Sequence, residues 1–92
     1  MKYKLRFTKK ADKDIFAIKR SGDKVSISRV KQILEELEEH PQVGIGNPKM
    51  LTGDLSGFWS RRINLKDRVI YKIEEDIIIV SVISAKGHYE DK

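Results

Sequence analysis

The densest run of polar and aromatic side chains in this sequence is Ser56-Gly57-Phe58-Trp59-Ser60-Arg61-Arg62-Ile63-Asn64, and Arg68 follows shortly after it. Consecutive residues of a strand point to opposite faces, so only one of Arg61 and Arg62 can share a surface with Arg68. Two guanidinium groups on one surface suit a phosphate, because each offers a planar fork of N–H donors. The alternative is that these arginines pair with surface carboxylates or cover apolar side chains with their stems.

A histidine and a tyrosine, His88 and Tyr89, lie near the end of the chain. Histidine is the side chain best suited to general acid or base chemistry near neutral pH. Tyrosine can donate a hydrogen bond or stack on a nucleic-acid base. A histidine in a polar terminal segment is often merely solvated, so the residue types leave both interpretations open.

Several other kinds of site are excluded by residues that the sequence lacks. There is no cysteine, hence no disulfide and no thiolate nucleophile, and two histidines argue against a zinc site. Gly44-Ile45-Gly46 is a turn signal and too short for a nucleotide-binding loop. The four glutamates of the predicted second helix are expected to form a solvated face rather than a metal site: Glu35, Glu36, Glu38 and Glu39. We expect no metal and no cofactor.

Length and charge narrow the class of protein further. Ninety-two residues suffice for one core, so residues 1–92 are predicted to be a single domain. Nineteen basic residues against fourteen acidic ones give a net charge of +5, which favours polyanionic partners such as RNA, although modest positive charge is also common in unrelated domains. No run approaches the roughly 20 apolar residues of a membrane span, and no signal peptide is evident, so a cytoplasmic protein is expected.

The elements that must position these residues follow from periodicity. Apolar Tyr3, Leu5 and Phe7 alternate with basic residues, which predicts a half-buried strand. Thr8 can cap a first helix that ends at Ser21-Gly22, and a second helix is predicted from about Lys24 until Pro41 stops it. The two helices form a hairpin.

The second half of the chain predicts a loop followed by strands. Residues 40–57 hold both prolines and most of the glycines and are predicted to be a loop. Strands are predicted at Phe58–Asn64, Arg68–Ile73 and Ile77–Ser84, the last being central in the sheet. The fold class is therefore α+β, with the helices on one face of a curved antiparallel sheet and a partly open face for a ligand. Arg62 and Arg68 share a face only if an odd number of residues, or a bulge, separates them.

Three runs in the sequence resemble the YoeB/Txe family of bacterial toxins, within the RelE/ParE superfamily. They are N-P-K-M-L-T-G-D-L-S-G-F-W-S-R-R-I-N at 47–64, D-R-V-I-Y at 67–71 and S-A-K-G-H-Y at 84–89. The predicted element order also fits, so the resemblance covers nearly the whole chain. It implies a RelE/ParE-like fold and the toxin of a type II toxin–antitoxin system. Such a toxin is a ribosome-dependent endoribonuclease that cuts messenger RNA in the ribosomal A site and thereby inhibits translation.

The resemblance also implies roles for individual residues in a metal-independent transesterification by the RNA 2′-hydroxyl. Arg62 and Arg68 match phosphate-binding arginines, and His88 matches the general acid. Tyr89 matches a terminal aromatic residue that supports catalysis. The residues expected to contact RNA are Arg61, Trp59 and Thr52.

Two positions depart from the pattern of the family. Lys49 stands where the family usually has a glutamate that acts as general base, and Thr52 stands where a lysine is common. A lysine accepts a proton only where burial or nearby cations disfavour its charged form. Lys49 is therefore a candidate catalytic residue; otherwise the ribosome supplies the base, or the toxin is weak or inactive.

The partners that the resemblance implies are a cognate antitoxin of the YefM/Axe type, the ribosome with its message, and a second copy of the chain. The alternative function is a non-catalytic toxin or binding module on the same fold, such as the ParE branch, which blocks DNA gyrase. Arg62, Arg68, His88 and Tyr89 favour the ribonuclease, whereas Lys49 favours the alternative.

Overall fold

The order of helices and strands agrees with the prediction, with one strand added. The computed structural model describes residues 2–86, with strand β1 (Lys4–Phe7), helices α1 (Lys9–Arg20) and α2 (Lys24–Glu39), and strands β2 (Lys49–Met50), β3 (Trp59–Arg62), β4 (Arg68–Glu74) and β5 (Ile79–Ser84). Strand β2 and a short 3-10 helix, Gly53–Leu55, lie within the segment that was predicted to be a loop.

The strands form one five-stranded sheet in the order β1-β5-β4-β3-β2. Strand β1 pairs in parallel with β5, whereas the other pairs are antiparallel. The antiparallel meander predicted for the last three strands, β3, β4 and β5, is confirmed, whereas the parallel pairing of β1 makes the sheet as a whole mixed rather than antiparallel. Strand β5 lies between β1 and β4, as its continuous apolar sequence predicted.

Both helices begin and end at the residues that the sequence indicates. The Thr8 hydroxyl accepts the Ala11 N–H at 3.0 Å, and the Asp23 carboxylate accepts the Ser26 N–H at 3.1 Å. Gly22, just after α1, has φ 79°, a left-handed conformation that glycine adopts without strain. Within residues 2–86, no helix is long and apolar enough to cross a membrane.

The helices cover one face of the sheet, and the core lies between them. Side chains that are fully buried there include Ile33 and Leu37 of α2 and Tyr71, Val80 and Val82 of the sheet. Burying each large aliphatic side chain contributes roughly 1.5–3 kcal/mol. Because successive strand residues alternate, the neighbours of these sheet residues lie on the opposite face, which we call the open face.

Candidate active site and its support

Arg62 and Arg68 lie directly opposite each other on the open face. They are Cα partners in the antiparallel pairing of β3 with β4. Five residues, 63–67, connect them, so the condition that the sequence set for a shared face is met. Opposed residues of an antiparallel pair have Cβ atoms about 4.5–5.5 Å apart, which brings both guanidinium groups within reach of one phosphate.

Repulsion between the two positive charges of this pair opposes folding. Like charges directly opposite each other destabilise a sheet, and neither arginine forms an ion pair with any residue of 2–86. Arg62 is exposed, while half-buried Arg68 donates from Nη1 to the Ser60 hydroxyl at 3.4 Å. For Arg62 and Arg68, pairing with carboxylates, the alternative that the sequence left open, is absent among residues 2–86.

Lys49 lies on the same face, one strand further out. Its Cα partner is Ser60, which is fully buried and accepts a hydrogen bond from Arg68. Diagonal neighbours across two strands are about 7–8 Å apart, so Lys49 borders Arg62. Lys49 is exposed to solvent. Thr52, also exposed, follows β2 and precedes the 3-10 helix.

Arg61 lies on the opposite face, within the core. It is 0% exposed, and its guanidinium forms an ion pair with Glu36 at 2.6 Å. Nε donates to the Tyr71 hydroxyl at 3.2 Å, and the remaining acceptors are the carbonyl oxygens of His40 at 2.9 Å, Val43 at 2.8 Å and Ile45 at 3.4 Å. The prediction that Arg61 contacts RNA was wrong, since its donors are already used inside the protein.

Through these bonds Arg61 fixes residues 40–47, the segment that leads to β2. The Tyr71 hydroxyl donates to the Pro41 carbonyl at 2.7 Å, and the Ile45 N–H donates to Glu36 at 2.9 Å. The backbone N–H of Arg62 then donates to the Gly46 carbonyl at 2.6 Å. Arg61 therefore holds residues 40–47 in place, and the backbone of Arg62 is hydrogen-bonded to that same segment.

The two glycines in this segment are required by close approach. A Cβ atom at Gly44 would overlap the Glu36 carboxylate, and one at Gly46 would lie 2.8 Å from the Arg62 carbonyl oxygen. Both residues have positive φ, 134° and 81°. The Gly-Ile-Gly turn signal therefore reflects closure of this segment onto Arg61 and Glu36.

Glu36 and Tyr71 were missed by sequence reasoning. Burial by itself would raise the pKa of the Glu36 carboxyl, but hydrogen bonds from the Ile45 N–H and Arg61, with the attraction of that cation, hold the pKa below its usual 4.5. Burial raises the pKa of Tyr71 above 10.0, against the opposing effect of Arg61. The expectation of a solvated face was wrong for Glu36; its sequence position beside Ile33 and Leu37, at the edge of the apolar stripe, was the available signal.

Asp14 of α1 fixes the end of β5 and was also missed. Its buried carboxylate accepts the N–H groups of Ala85 at 3.0 Å and Lys86 at 3.3 Å, and it pairs with Lys10 at 2.8 Å. Burial alone would raise its pKa, but these contacts together hold the pKa below the usual 3.8. Asp14 therefore sets the point at which the chain leaves the sheet, at the end of β4 that carries Arg68.

Comparison with known proteins places this arrangement in a family. The family described as "YoeB-like toxin of bacterial type II toxin-antitoxin system" matches residues 7–89. The chain belongs to this family. Toxin RelK of Mycobacterium tuberculosis is 36% identical over 69 residues, 75% of this chain and 79% of that protein. Toxin YoeB of Streptomyces coelicolor is 35% identical over 68 residues, 74% of this chain and 79% of that protein.

Solved structures of YoeB proteins share the fold. The YoeB/ParE toxin from Agrobacterium tumefaciens has a TM-score of 0.84 at 29% identity, covering 94% of this chain and 99% of that chain. A YoeB dimer from Staphylococcus aureus has a TM-score of 0.80 at 27% identity, covering 97% of this chain and 100% of that chain. A heterotetrameric YoeB–YefM complex from the same organism has a TM-score of 0.77 at 27% identity, with the same coverage.

In this YoeB-like toxin only some of the predicted site residues come together. Arg62, Arg68 and Lys49 come together on the open face. Trp59 does not join them: its Cα partner is Tyr71, and it packs half-buried against the core. Its contact with RNA stays a prediction. His88 and Tyr89 lie outside the described residues, and their roles stay predictions.

Proposed function

We propose that this chain is a ribosome-dependent endoribonuclease that cuts messenger RNA in the ribosomal A site and so stops translation. The observation that carries the proposal is the pair Arg62 and Arg68, opposed on the open face with no carboxylate partner among residues 2–86. Two opposed guanidinium groups of this kind suit a phosphate or a carboxylate. Membership of the YoeB-like family makes the scissile phosphate of RNA the best candidate.

The chemistry we propose is attack by the RNA 2′-hydroxyl on the adjacent phosphorus. The 2′-hydroxyl gives up its proton to a base that the ribosome supplies, and the new O–P bond forms a 2′,3′-cyclic phosphate. The bond to the 5′-oxygen of the next nucleotide breaks, and that oxygen takes up a proton. Arg62 and Arg68 stabilise the additional negative charge on the phosphoryl oxygens in the transition state. The Ser60 hydroxyl beneath Arg68 helps to hold that guanidinium in place.

The proton transfers involve the terminal residues that the family resemblance assigns. We propose that His88 protonates the leaving 5′-oxygen and that Tyr89 supports it. His88 follows Lys86 by two residues, and Asp14 anchors the Lys86 N–H at 3.3 Å. Lys49, exposed beside Ser60, adds a third positive charge toward the phosphate rather than a carboxylate base.

The same face is proposed to bind the antitoxin. In the heterotetramer from Staphylococcus aureus, YoeB is in complex with the antitoxin YefM, and YoeB from that organism is also known as a dimer. For this chain we propose an antitoxin whose acidic segment covers Arg62 and Arg68, since that would satisfy both cations. Self-association into a homodimer is the second proposed interaction.

Cell-free translation followed by primer extension on the message tests the proposed function. We expect cuts that need ribosomes, with loss of about 100-fold or more in rate for Arg62→Met, as for removal of one transition-state donor. His88→Ala should slow cutting similarly. Arg20→Met, an exposed arginine of α1, is the matched control and should cut like the wild type.

Other outcomes of this experiment would redirect the assignment. Translation arrest without cuts would identify a ribosome-binding inhibitor that has lost its base. Unchanged translation would refute the proposal, and a DNA gyrase supercoiling assay would then test the ParE-like alternative.

A further inference from the structure

The connection between β3 and β4 is tied to the first turn of α2. The Asn64 amide Nδ2 donates to the Ser26 hydroxyl at 2.8 Å. Ser26 is 2% exposed, and its hydroxyl donates in turn to the Asp23 carboxylate at 2.8 Å. Two segments that are far apart in sequence therefore form one junction beside the arginine pair.

The tip of this connection is rigid although it projects into solvent. The Asn64 Oδ1 accepts the N–H groups of Lys66 at 2.9 Å and Asp67 at 2.8 Å. The Ile63 N–H donates to the Asp67 carbonyl at 2.9 Å. Leu65, held between these bonds, is 92% exposed. Its exposure therefore results from a fixed backbone rather than from an unstructured loop.

The junction has an unusual surface, which we call the junction patch: Lys24, Val25, Arg29, Leu65 and Lys66. Val25, 68% exposed, precedes Ser26 in α2, just as Leu65 follows Asn64, the residue bonded to Ser26. None of the three basic residues forms an ion pair with any part of 2–86. A shallow depression of about 380 Å³ lies between Lys24, Val25, Ser28, Arg29 and Gln32. The neighbouring Asp23 carboxylate is occupied in capping α2.

From these features we propose that the junction patch docks on folded RNA, namely the RNA of the ribosome. Unpaired lysines and arginines bind backbone phosphates and release counterions. A single exposed leucine or valine is ordinary, but here one lies on each side of a fixed junction among unpaired cations, where apolar contact with ribose and base faces is available. The inference rests on the proposed function, since a toxin that acts on a ribosome-bound message must also hold the ribosome.

The position of the patch fits this role. Leu65 is three residues from both Arg62 and Arg68, and three residues span at most about 11 Å. The patch thus borders the open face without sharing its residues. The message would lie across Arg62 and Arg68, while the ribosomal RNA contacts the junction patch. Cutting and docking would therefore use two separate surfaces.

The test measures the affinity of a fluorescently labelled toxin for bacterial ribosomes programmed with a defined message, at several salt concentrations. For the double variant Lys24→Gln/Lys66→Gln we expect affinity about tenfold weaker and a log–log salt slope smaller by about two, roughly one per phosphate contact. Leu65→Ser should weaken binding about threefold without changing the slope, since apolar contact is not screened by salt. The cleavage rate at saturating ribosome should stay at the wild-type value.

Matched controls come from the same chain. Lys13→Gln removes an exposed lysine from α1, and Ile77→Ser removes an apolar side chain, 55% exposed, from the turn between β4 and β5. Both should bind as the wild type does. Urea midpoints check folding, because substitutions at such exposed positions normally change stability by less than about 0.5 kcal/mol.

Each remaining outcome decides between the two proposals. Junction variants that bind ribosomes as tightly as the controls overturn the inference, whichever other partner the patch has. Unchanged affinity with slower cutting at saturation also overturns it. A wild type that binds ribosomes through the patch but cuts no message leaves the inference standing and refutes the proposed ribonuclease. A wild type that does not bind ribosomes refutes both.

Discussion

Arg61 and Arg62 are adjacent in sequence and occupy opposite environments. Arg61 is 0% exposed, and five hydrogen bonds fix its guanidinium to α2, Tyr71 and the 40–47 segment. Arg62 is exposed, faces Arg68 and has no ion pair within residues 2–86. The arginine of the core face joins several segments of the protein, whereas the two opposed arginines of the open face have no ion pair among residues 2–86.

The difference shows that residue type does not determine the role of an arginine. A buried cation is tolerated only when an opposite charge and hydrogen bonds compensate for lost hydration, as Glu36 and the backbone carbonyls do here. An exposed cation needs no such compensation, and two of them placed face to face reduce stability slightly. Local conflicts of this kind are expected at functional sites.

The same substitution at the two neighbours should separate these roles most strongly. Arg61→Met leaves the Glu36 carboxylate and the Tyr71 hydroxyl without their main partner, and we expect a loss of about 3–5 kcal/mol in the free energy of unfolding. Arg62→Met should change that free energy by less than about 0.5 kcal/mol. Urea denaturation of both variants measures the contrast.

Activity should show the reverse order for these variants. At a temperature where both are folded, Arg62→Met should lose cleavage and Arg61→Met should retain much of it. Equal stability losses would show that Arg62 has a structural partner and would remove the basis of the comparison.

A smaller effect is expected at the glycine that closes onto Arg61. In Gly44→Ala the new Cβ overlaps Glu36 while φ is +134°, and we expect a loss of roughly 2–3 kcal/mol. Gly22→Ala is the control: φ is +79° but nothing lies within 4 Å, so about 1 kcal/mol for the left-handed backbone is expected. Thermal unfolding of both variants tests this ranking, and equal costs would mean that the 40–47 segment yields easily.

Removal of the Tyr71 hydroxyl should weaken the core face more gently. Tyr71→Phe deletes the group that joins Arg61 Nε to the Pro41 carbonyl, and a loss of about 1–2 kcal/mol is expected. Hydrogen exchange should accelerate at the Ile45 amide, which the same network protects. Unchanged exchange there would show that Arg61 holds the segment without Tyr71.

The smallest effect concerns acid pH. The pKa of Glu36 is lower in the folded protein than its usual 4.5, so its ionised form contributes stability above that value. This contribution is lost as pH falls through the folded pKa. The stability difference between wild type and Glu36→Gln should therefore be constant near neutrality and shrink below about pH 4.5. A difference that stays constant to about pH 3 would contradict the lowered pKa.

Local signals predicted most of the fold. Thr8 and Gly22 predicted the bounds of α1 because capping and left-handed backbone depend on neighbouring residues. The parallel pairing of β1 with β5 could not be predicted from local signals, because the sequence of a strand does not indicate which other strand it pairs with. Strand β2 was missed because two residues carry no periodicity.

The candidate site was predictable only on the open face. Strand alternation set the condition under which Arg62 and Arg68 share a face, and the structure meets that condition. The role of Arg61 depends on Glu36, which lies 25 residues earlier, and on Tyr71, ten residues later. These contacts depend on how α2 packs on the sheet, and the residues next to Arg61 in the sequence do not indicate them.

The pairing of β1 with β5 also affects when this chain can fold during its synthesis on the ribosome. Strand β5 is synthesised after every other described element, yet it occupies the position between β1 and β4. The Thr8 hydroxyl is separated by 75 residues from its acceptor, the Ile83 carbonyl, which it contacts at 2.6 Å. Contacts of such sequence separation form late in folding. Until residues 79–84 have been synthesised, the sheet that carries Arg62 and Arg68 lacks the strand between β1 and β4. The pair of arginines is therefore positioned only after most of the chain has been synthesised.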